Sequence, residues 1–153
     1  MTIRFANPAD IEQWMQLVRK VKDNFPGLET EEALTEHQKT VLSFIQKGGA
    51  VCGEADGQIR GILLFSKRRC QLCFLAVDPD CRRQHIAREM VGLMLEQLPS
   101  GRDVTVSTYR EGDPKGIAAR PFYKKLGFIE GPLSEEFGSP VQIFVLRRKQ
   151  TIQ

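Results

Sequence analysis

Phe74-Leu75-Ala76-Val77-Asp78-Pro79-Asp80-Cys81-Arg82-Arg83-Gln84-His85-Ile86-Ala87 runs from an apolar strand through a tight turn into a helix start rich in arginine. Gln71 to Val77 is strongly apolar, and Asp78-Pro79 ends it. From Arg83 to Leu98 the spacing of Ile86, Met90, Leu93, Met94 and Leu98 is helical, and Pro99-Ser100-Gly101 stops it. Free backbone N–H groups and the positive end of the helix dipole meet at such a junction. Arg82, Arg83 and Arg88 add fixed positive charge there. Cations at that end oppose the dipole, which makes most sense if an anion such as a pyrophosphate binds between them. An ordinary solvated helix start is the plainer account, and these residues alone weigh the two about evenly.

On the N-terminal side, Thr2 to Ala6 leans toward strand, and Ile11, Trp14, Met15, Val18, Val21 and Phe25 recur at helical spacing. Pro26-Gly27 stops that helix. Thr30 before Glu31 and Glu32 opens a second helix, striped by Leu34, Val41, Leu42 and Ile45 and closed by Gly48-Gly49. Ala50 to Ala55, Asp56-Gly57 and Gln58 to Lys67 read as a β-hairpin with an Asp-Gly turn. On the C-terminal side, Val104 to Thr108 is a buried strand, and Ala118 to Leu126 is a short helix capped by Gly127. Phe128 to Glu130 and Val141 to Leu146 are closing strands around a polar excursion from Gly131 to Pro140. The order β-α-α-β-β-β-α-β-α-β-β predicts an α+β fold, a mixed sheet with helices on its faces.

The chain has 153 residues, 41% hydrophobic and 27% charged, which suits one globular domain over 1–153 and excludes disorder or low complexity. A net charge of +3 is too mild to announce nucleic acid, and Lys67-Arg68-Arg69 and Arg147-Arg148-Lys149 lack interleaved aromatics. The longest apolar runs, such as Ile62 to Phe65, are far short of a membrane span. With no secretory h-region after Met1, the four cysteines read as reduced thiols of a cytoplasmic protein. Cys70 and Cys73 form a lone C-x-x-C without a second ligand pair, so no metal site is expected.

The stretch from Val77 to Ala87 resembles the acetyl-CoA signature of the GNAT acyltransferase superfamily, Q/R-x-x-G-x-G/A after a strand ending in V-x-P. Arg82 matches the Q/R and Ala87 the G/A, while His85 stands where the first glycine is usual. Ala119-Arg120-Pro121-Phe122-Tyr123-Lys124-Lys125-Leu126-Gly127-Phe128 resembles a second family signature, A-x-x-F-Y-x-K-L-G-F. The element order is also that of the GNAT fold. The resemblance extends from Thr2 to about Arg147 and is thinnest in the loops that would face an acceptor.

That resemblance implies a twisted, mostly antiparallel sheet of six to seven strands, splayed between the fourth and fifth, with about four helices on its faces. It implies acetyl-CoA as acyl donor, with the pantetheine arm on Leu75, Ala76 and Val77. The pyrophosphate would sit on the turn Arg82, Arg83, Gln84, His85, Ile86, Ala87 and Arg88. Tyr123 matches the family tyrosine that protonates the leaving thiolate, and a packed aromatic is its plainer role. Gly116 stands where many members carry asparagine, so a contact from that side chain is missing. Fourth-strand N–H groups around Leu75 would stabilise the oxyanion.

The implied reaction is N-acetylation of a small-molecule amine or a protein amino group. Its alternative is a CoA-binding module without catalysis, suggested by Gln71, His85 and Gly116. The acidic residue some members carry early on the fourth strand is Gln71 here, so the base stays open among Glu54, Glu111, Asp113 through water, or none. The acceptor pocket is expected from Asp23 to Leu28, Tyr109 to Glu111 and Glu135 to Phe137, with Phe25, Tyr109 and Glu111 as the leading candidates. The family resemblance allows a homodimer, and no residue pattern demands one.

Overall fold

The computed structural model describes residues 1–81 and 85–148. The expected anion-binding residues Arg82, Arg83 and Gln84, and Lys149 of the basic tail, lie outside the described residues. The elements run β1 (Thr2–Phe5), α1 (Ile11–Val21), α2 (Glu31–Gln46), β2 (Ala50–Ala55), β3 (Gln58–Ser66), β4 (Gln71–Val77), α3 (Ile86–Gln97), β5 (Val104–Tyr109), α4 (Ala119–Lys125), β6 (Ile129–Glu136) and β7 (Ser139–Leu146). Among the described residues one seven-stranded sheet takes them in the order β1-β2-β3-β4-β5-β7-β6, and only β4 and β5 run parallel. No described helix is long and apolar enough to cross a membrane.

Local chemistry explains most boundaries. Thr30 caps α2 by accepting a hydrogen bond from the Ala33 N–H at 3.0 Å. Asp56 and Gly57, at φ 54° and 75°, give the left-handed turn that a two-residue hairpin needs. Gly127, at φ 102°, ends α4 in the same way. The sheet then buries both its faces. Along β3, Ile62 and Leu64 pack with Trp14, Val18 and Leu34 on the α1–α2 side. Leu63 and Phe65 pack with Met90, Met94 and Phe144 on the α3–α4 side. That alternation is why Ile62 to Phe65 is apolar throughout: helices cover both faces of a period-two strand.

Two glycines set how closely α3 lies on the sheet. Gly53 and Gly61 face each other across β2 and β3. A Cβ at Gly61 would come within 2.5 Å of Ile86 Cγ2 and 2.8 Å of Met90 Cε, and one at Gly53 within 2.7 Å of Ile86 Cγ2. The bare backbone therefore seats the first turn of α3, and with it the junction after β4.

Three expectations need correction. The helix expected from Arg83 starts at Ile86, with His85 as its N-cap; Arg88 belongs to its first turn, and Arg82 and Arg83 lie outside the described residues. Apolar periodicity carried the first helix to Phe25, whereas α1 ends at Val21 and a 3-10 turn, Lys22–Asn24, follows. The periodicity persisted because Phe25 is also packed, against β4 rather than along the helix. The polar stretch from Gly131 to Pro140 is β6 with its hairpin turn, not an excursion. As the sheet edge, β6 has most of its side chains in solvent and shows no apolar alternation. Pro132 falls in the register shift between Glu130 and Leu133, where an edge strand tolerates it.

Candidate functional site

The sheet opens where its only parallel pair comes apart. β4 and β5 meet at Gln71–Thr105 and Leu72–Val106 and then diverge. On the other side of β4, Leu64 faces Phe74 and Phe65 faces Leu72, so Cys73 is an extra, bulged residue. Beyond it, Cys73 to Val77 keep β3 as a neighbour but have no partner strand toward β5. A row of backbone donors and acceptors is thus presented to the gap, as at any sheet edge. The gap is a cleft of about 690 Å³, bounded by β4, the end of β5, α4 and the turn after α1.

Tyr123 and Phe122 of α4 form one wall of this cleft. Tyr123 is 6% exposed, with its ring edge-on to Phe122 at 5.3 Å and to Phe128 at 5.5 Å. Burial raises the pKa of its phenol, so the hydroxyl stays protonated across the neutral range. Arg120 fixes α4 against the sheet. It donates to the Tyr109 carbonyl at 2.8 Å, to Gln142 Oε1 at 2.8 Å and to Glu130 Oε1 at 2.9 Å. Its guanidinium also lies 4.8 Å from the centre of the Phe144 ring. Gly116 makes room for this arrangement: a Cβ there would lie 3.0 Å from Tyr109 Cβ and 3.2 Å from Arg120 Cδ. The absent side chain at position 116 is therefore also a packing requirement.

A second cavity of about 410 Å³ continues from the first, sharing Val77, Ala87 and Phe122. His85, Ile86 and Arg88 line it, together with Lys125 and Cys81. Of the residues expected for the acyl donor, Leu75, Ala76 and Val77 line the large cleft, Ala87 lines both, and His85, Ile86 and Arg88 line the smaller one. Sequence reasoning left out Lys125. Its signal was available, since Phe122 and Lys125 stand at i and i+3 and so share a helix face. Arg88, Lys125 and the imidazole of His85 make this end suited to an anion.

Asp78, at the end of β4, is a further residue the sequence reading missed. It is 3% exposed; Oδ1 accepts from Lys20 Nζ at 2.8 Å and from the Asp80 N–H at 3.0 Å, and Oδ2 accepts from an Arg60 guanidinium N–H at 3.0 Å. Its own N–H donates to the Arg60 carbonyl at 2.7 Å, and its carbonyl accepts from the Cys81 N–H at 2.8 Å. The turn that leads into α3 is therefore anchored to α1 and β3 through one carboxylate.

His85 sits at the N-cap of α3 with φ 59° and ψ 19°, a left-handed conformation that costs a non-glycine residue about 1 kcal/mol or more. Here is the physical reason a glycine would suit this place. His85→Gly is expected to raise Tm by about 2 °C, the relief of that strain net of glycine's greater unfolded-state freedom. A differential scan of both proteins checks it, and an unchanged or lower Tm refutes it.

Phe25, Tyr109 and Glu136 also line the large cleft. Phe25 stacks on Phe74 of β4, centroids 4.4 Å apart and planes at 28°. The Tyr109 hydroxyl is buried and has no hydrogen-bond partner, and burial with the nearby Asp113 pushes its pKa up to about 12. Glu111 is exposed in the turn after β5 and lines neither cavity. Glu54 is held by Arg4 at 2.8 Å, and Asp113 Oδ1 accepts from the Lys115 N–H at 2.9 Å; both also stand outside the two cavities. Cys70 is buried and Cys73 exposed, and no metal-ligand cluster occurs among the described residues.

The acetyltransferase (GNAT) family model matches residues 11–128. No curated protein sequence matches significantly. Among solved structures, a GNAT-family acetyltransferase from Bacillus cereus ATCC 10987 superposes with TM-score 0.76 at 19% identity, covering 97% of this chain and 98% of that one. The PaiA N-acetyltransferase from Thermoplasma acidophilum, solved in complex with coenzyme A, gives TM-score 0.68 at 18% identity, covering 95% and 98%. The ribosomal-protein-S18-alanine N-acetyltransferase from Escherichia coli gives 0.71 at 18%, covering 99% and 96%. At these identities the likeness is one of fold.

Proposed function

The chain belongs to the acetyltransferase (GNAT) family, and from that premise we propose that it transfers the acetyl group of acetyl-CoA to a primary amine by direct attack in a ternary complex. The observation that carries the reading is the parting of β4 from β5, with Tyr123 on the wall of the cleft that results. The free edge of Leu75 to Val77 can pair with the amides of a pantetheine arm as a strand would. Arg88 and Lys125, at the contiguous cavity, supply the charge a pyrophosphate needs, and the His85 imidazole can add a hydrogen bond.

Acetyl-CoA, when bound, supplies a thioester carbonyl as electrophile. The Leu75 N–H then serves as donor to the carbonyl oxygen as it gains charge. Tyr123 gives its proton to the departing sulfur. The exclusion of water by Phe122, Phe25 and Phe74 protects the thioester from hydrolysis. A CoA-binding module without turnover would share the first two features but has no use for a buried, protonated phenol beside the cleft.

The experiment is a thermal-shift titration with acetyl-CoA, with ATP and desulfo-CoA as controls. At ~100 times Kd a ligand adds about 2.7 kcal/mol, which moves Tm by several degrees for a chain of this size. A saturable rise with acetyl-CoA and desulfo-CoA but not ATP supports the site. No rise at millimolar acetyl-CoA refutes it.

A further inference from the structure

Resting on the acetyl-transfer reading above, we propose that Glu136 anchors the acceptor ammonium and takes its proton, and that the Phe25–Phe74 stack carries the acceptor's body, a small primary amine bearing a flat apolar group. Glu136 is the one carboxylate among the described residues lining the large cleft, and Lys115 the one cation. Among the described residues neither Glu136 nor Lys115 forms an ion pair. A cleft carboxylate left without a cation suits a cationic ligand.

The walls around it are aromatic. Phe25 and Phe74 stack at 4.4 Å, and His37 backs Phe74 at 5.1 Å. Tyr109 lines the same cleft, and its hydroxyl is buried without a hydrogen-bond partner. Size is limited by the loops. Pro26 and Glu136 line the cleft, and the residues after them, Gly27 and Phe137, touch: a Cβ at Gly27 would lie 3.1 Å from the Phe137 ring. The turn after α1 and the β6–β7 hairpin thus meet beside the cleft, with the Phe137 ring itself largely in solvent. That contact narrows the approach and favours a small free amine over the surface lysine of a folded protein.

The step balances. One proton passes from the R–NH3+ group to the Glu136 carboxylate, and the freed lone pair forms the N–C bond as the C–S bond breaks. Tyr123 gives its proton to the sulfur and recovers one from the new amide nitrogen. Glu136 then releases the first proton to solvent. Glu136 is solvent-exposed at the cleft, and desolvation there raises its pKa from the ordinary carboxylate value, which makes it the better base. The titratable groups facing it are Cys73 of β4, raised chiefly by burial, Tyr109 of β5, and Lys115 in the turn after β5. Since the base acts as carboxylate, kcat/KM rises with pH through the Glu136 titration.

The test uses the full chain and Glu136→Gln, with 2-phenylethylamine, spermidine and a short peptide with a free α-amine as acceptors. Calorimetric titration of 2-phenylethylamine, with and without desulfo-CoA, runs beside turnover. We expect binding to weaken at least ~10-fold and kcat/KM to fall ~100-fold in the variant, with the acidic limb of its pH profile gone and the acetyl-CoA thermal shift unchanged. Wild-type rates in Glu136→Gln overturn the role of Glu136. Preference for spermidine or the peptide, with acetyl-CoA protection intact, overturns the acceptor class. Loss of acetyl-CoA protection in the wild type refutes the donor reading instead, and the amine titration without desulfo-CoA still decides the anchor: affinity equal in the two proteins overturns it.

Discussion

Tyr123→Phe is expected to lower kcat for acetyl transfer about 100-fold while leaving the acetyl-CoA Kd within about twofold. The substitution removes one oxygen and keeps the ring. The packing of that ring against Phe122, Phe128 and Phe144 is therefore preserved, and stability should hardly move. What is lost is the hydroxyl that stays protonated at neutral pH and so can give a proton or a hydrogen bond to the departing sulfur. Without it the sulfur departs as a bare thiolate or waits for water, and the cost falls on kcat rather than on binding. Steady-state kinetics of both proteins, with Tm measured on the same samples, check this. Equal kcat would remove Tyr123 from the chemistry and leave it a packed aromatic of α4. The absence of turnover in the wild type, with coenzyme binding intact, would favour the non-catalytic module.

Asp78→Asn is expected to cost about 1–2 kcal/mol and to weaken acetyl-CoA binding several-fold. The amide keeps the shape of the side chain but turns an N–H2 toward Lys20 Nζ or the Arg60 guanidinium, which both now meet a carboxylate oxygen. Its cost is tempered because Lys20 and Arg60 are part-exposed and can turn to water. The binding loss follows from position, since the turn into α3 hangs on this residue. Burial by itself raises the Asp78 pKa, but the bonds from Lys20, the Asp80 N–H and Arg60 more than offset it and hold the carboxyl below its usual range. A lowered folded-state pKa means stability that is present above the unfolded value, about 3.9, and lost as pH falls through the folded one. The gap in Tm between wild type and Asp78→Asn should therefore be full at neutral pH and shrink below about pH 4. A gap that is constant with pH would mean the carboxylate's charge is not what anchors the turn.

Local rules carried the order of elements. The spacing of Trp14, Met15 and Val18, the Thr30 cap, the Asp56-Gly57 turn and the Gly127 stop are all short-range features. Each leaves a sign within a few residues, and the structure places α1, α2, the β2–β3 hairpin and α4 where those signs stand. Edge strand β6 left no such sign, because a strand with most of its side chains in water has no reason to alternate. The start of α3 was misjudged for a related reason: arginines extend a helical pattern on paper, and only the left-handed His85 shows where the helix begins.

The candidate site divides in the same way. The residues expected to hold the donor come from two short runs of chain, Leu75 to Arg88 and Ala119 to Leu126, so local motifs were enough to propose them. Those of the acceptor half do not. Phe25 and Phe74 are far apart in sequence and meet only because the turn after α1 folds over β4. Glu136 and Cys73 share a cleft only because β7 inserts between β5 and β6. Asp78 looked like a strand terminator until Lys20 and Arg60, from two other elements, closed on it. Periodicity, caps and turns are properties of neighbours along the chain, and these the sequence states by itself. Which carboxylate stands opposite the reacting carbon depends on contacts between residues distant in the chain, and those exist only once both faces of the sheet are covered and β4 has parted from β5.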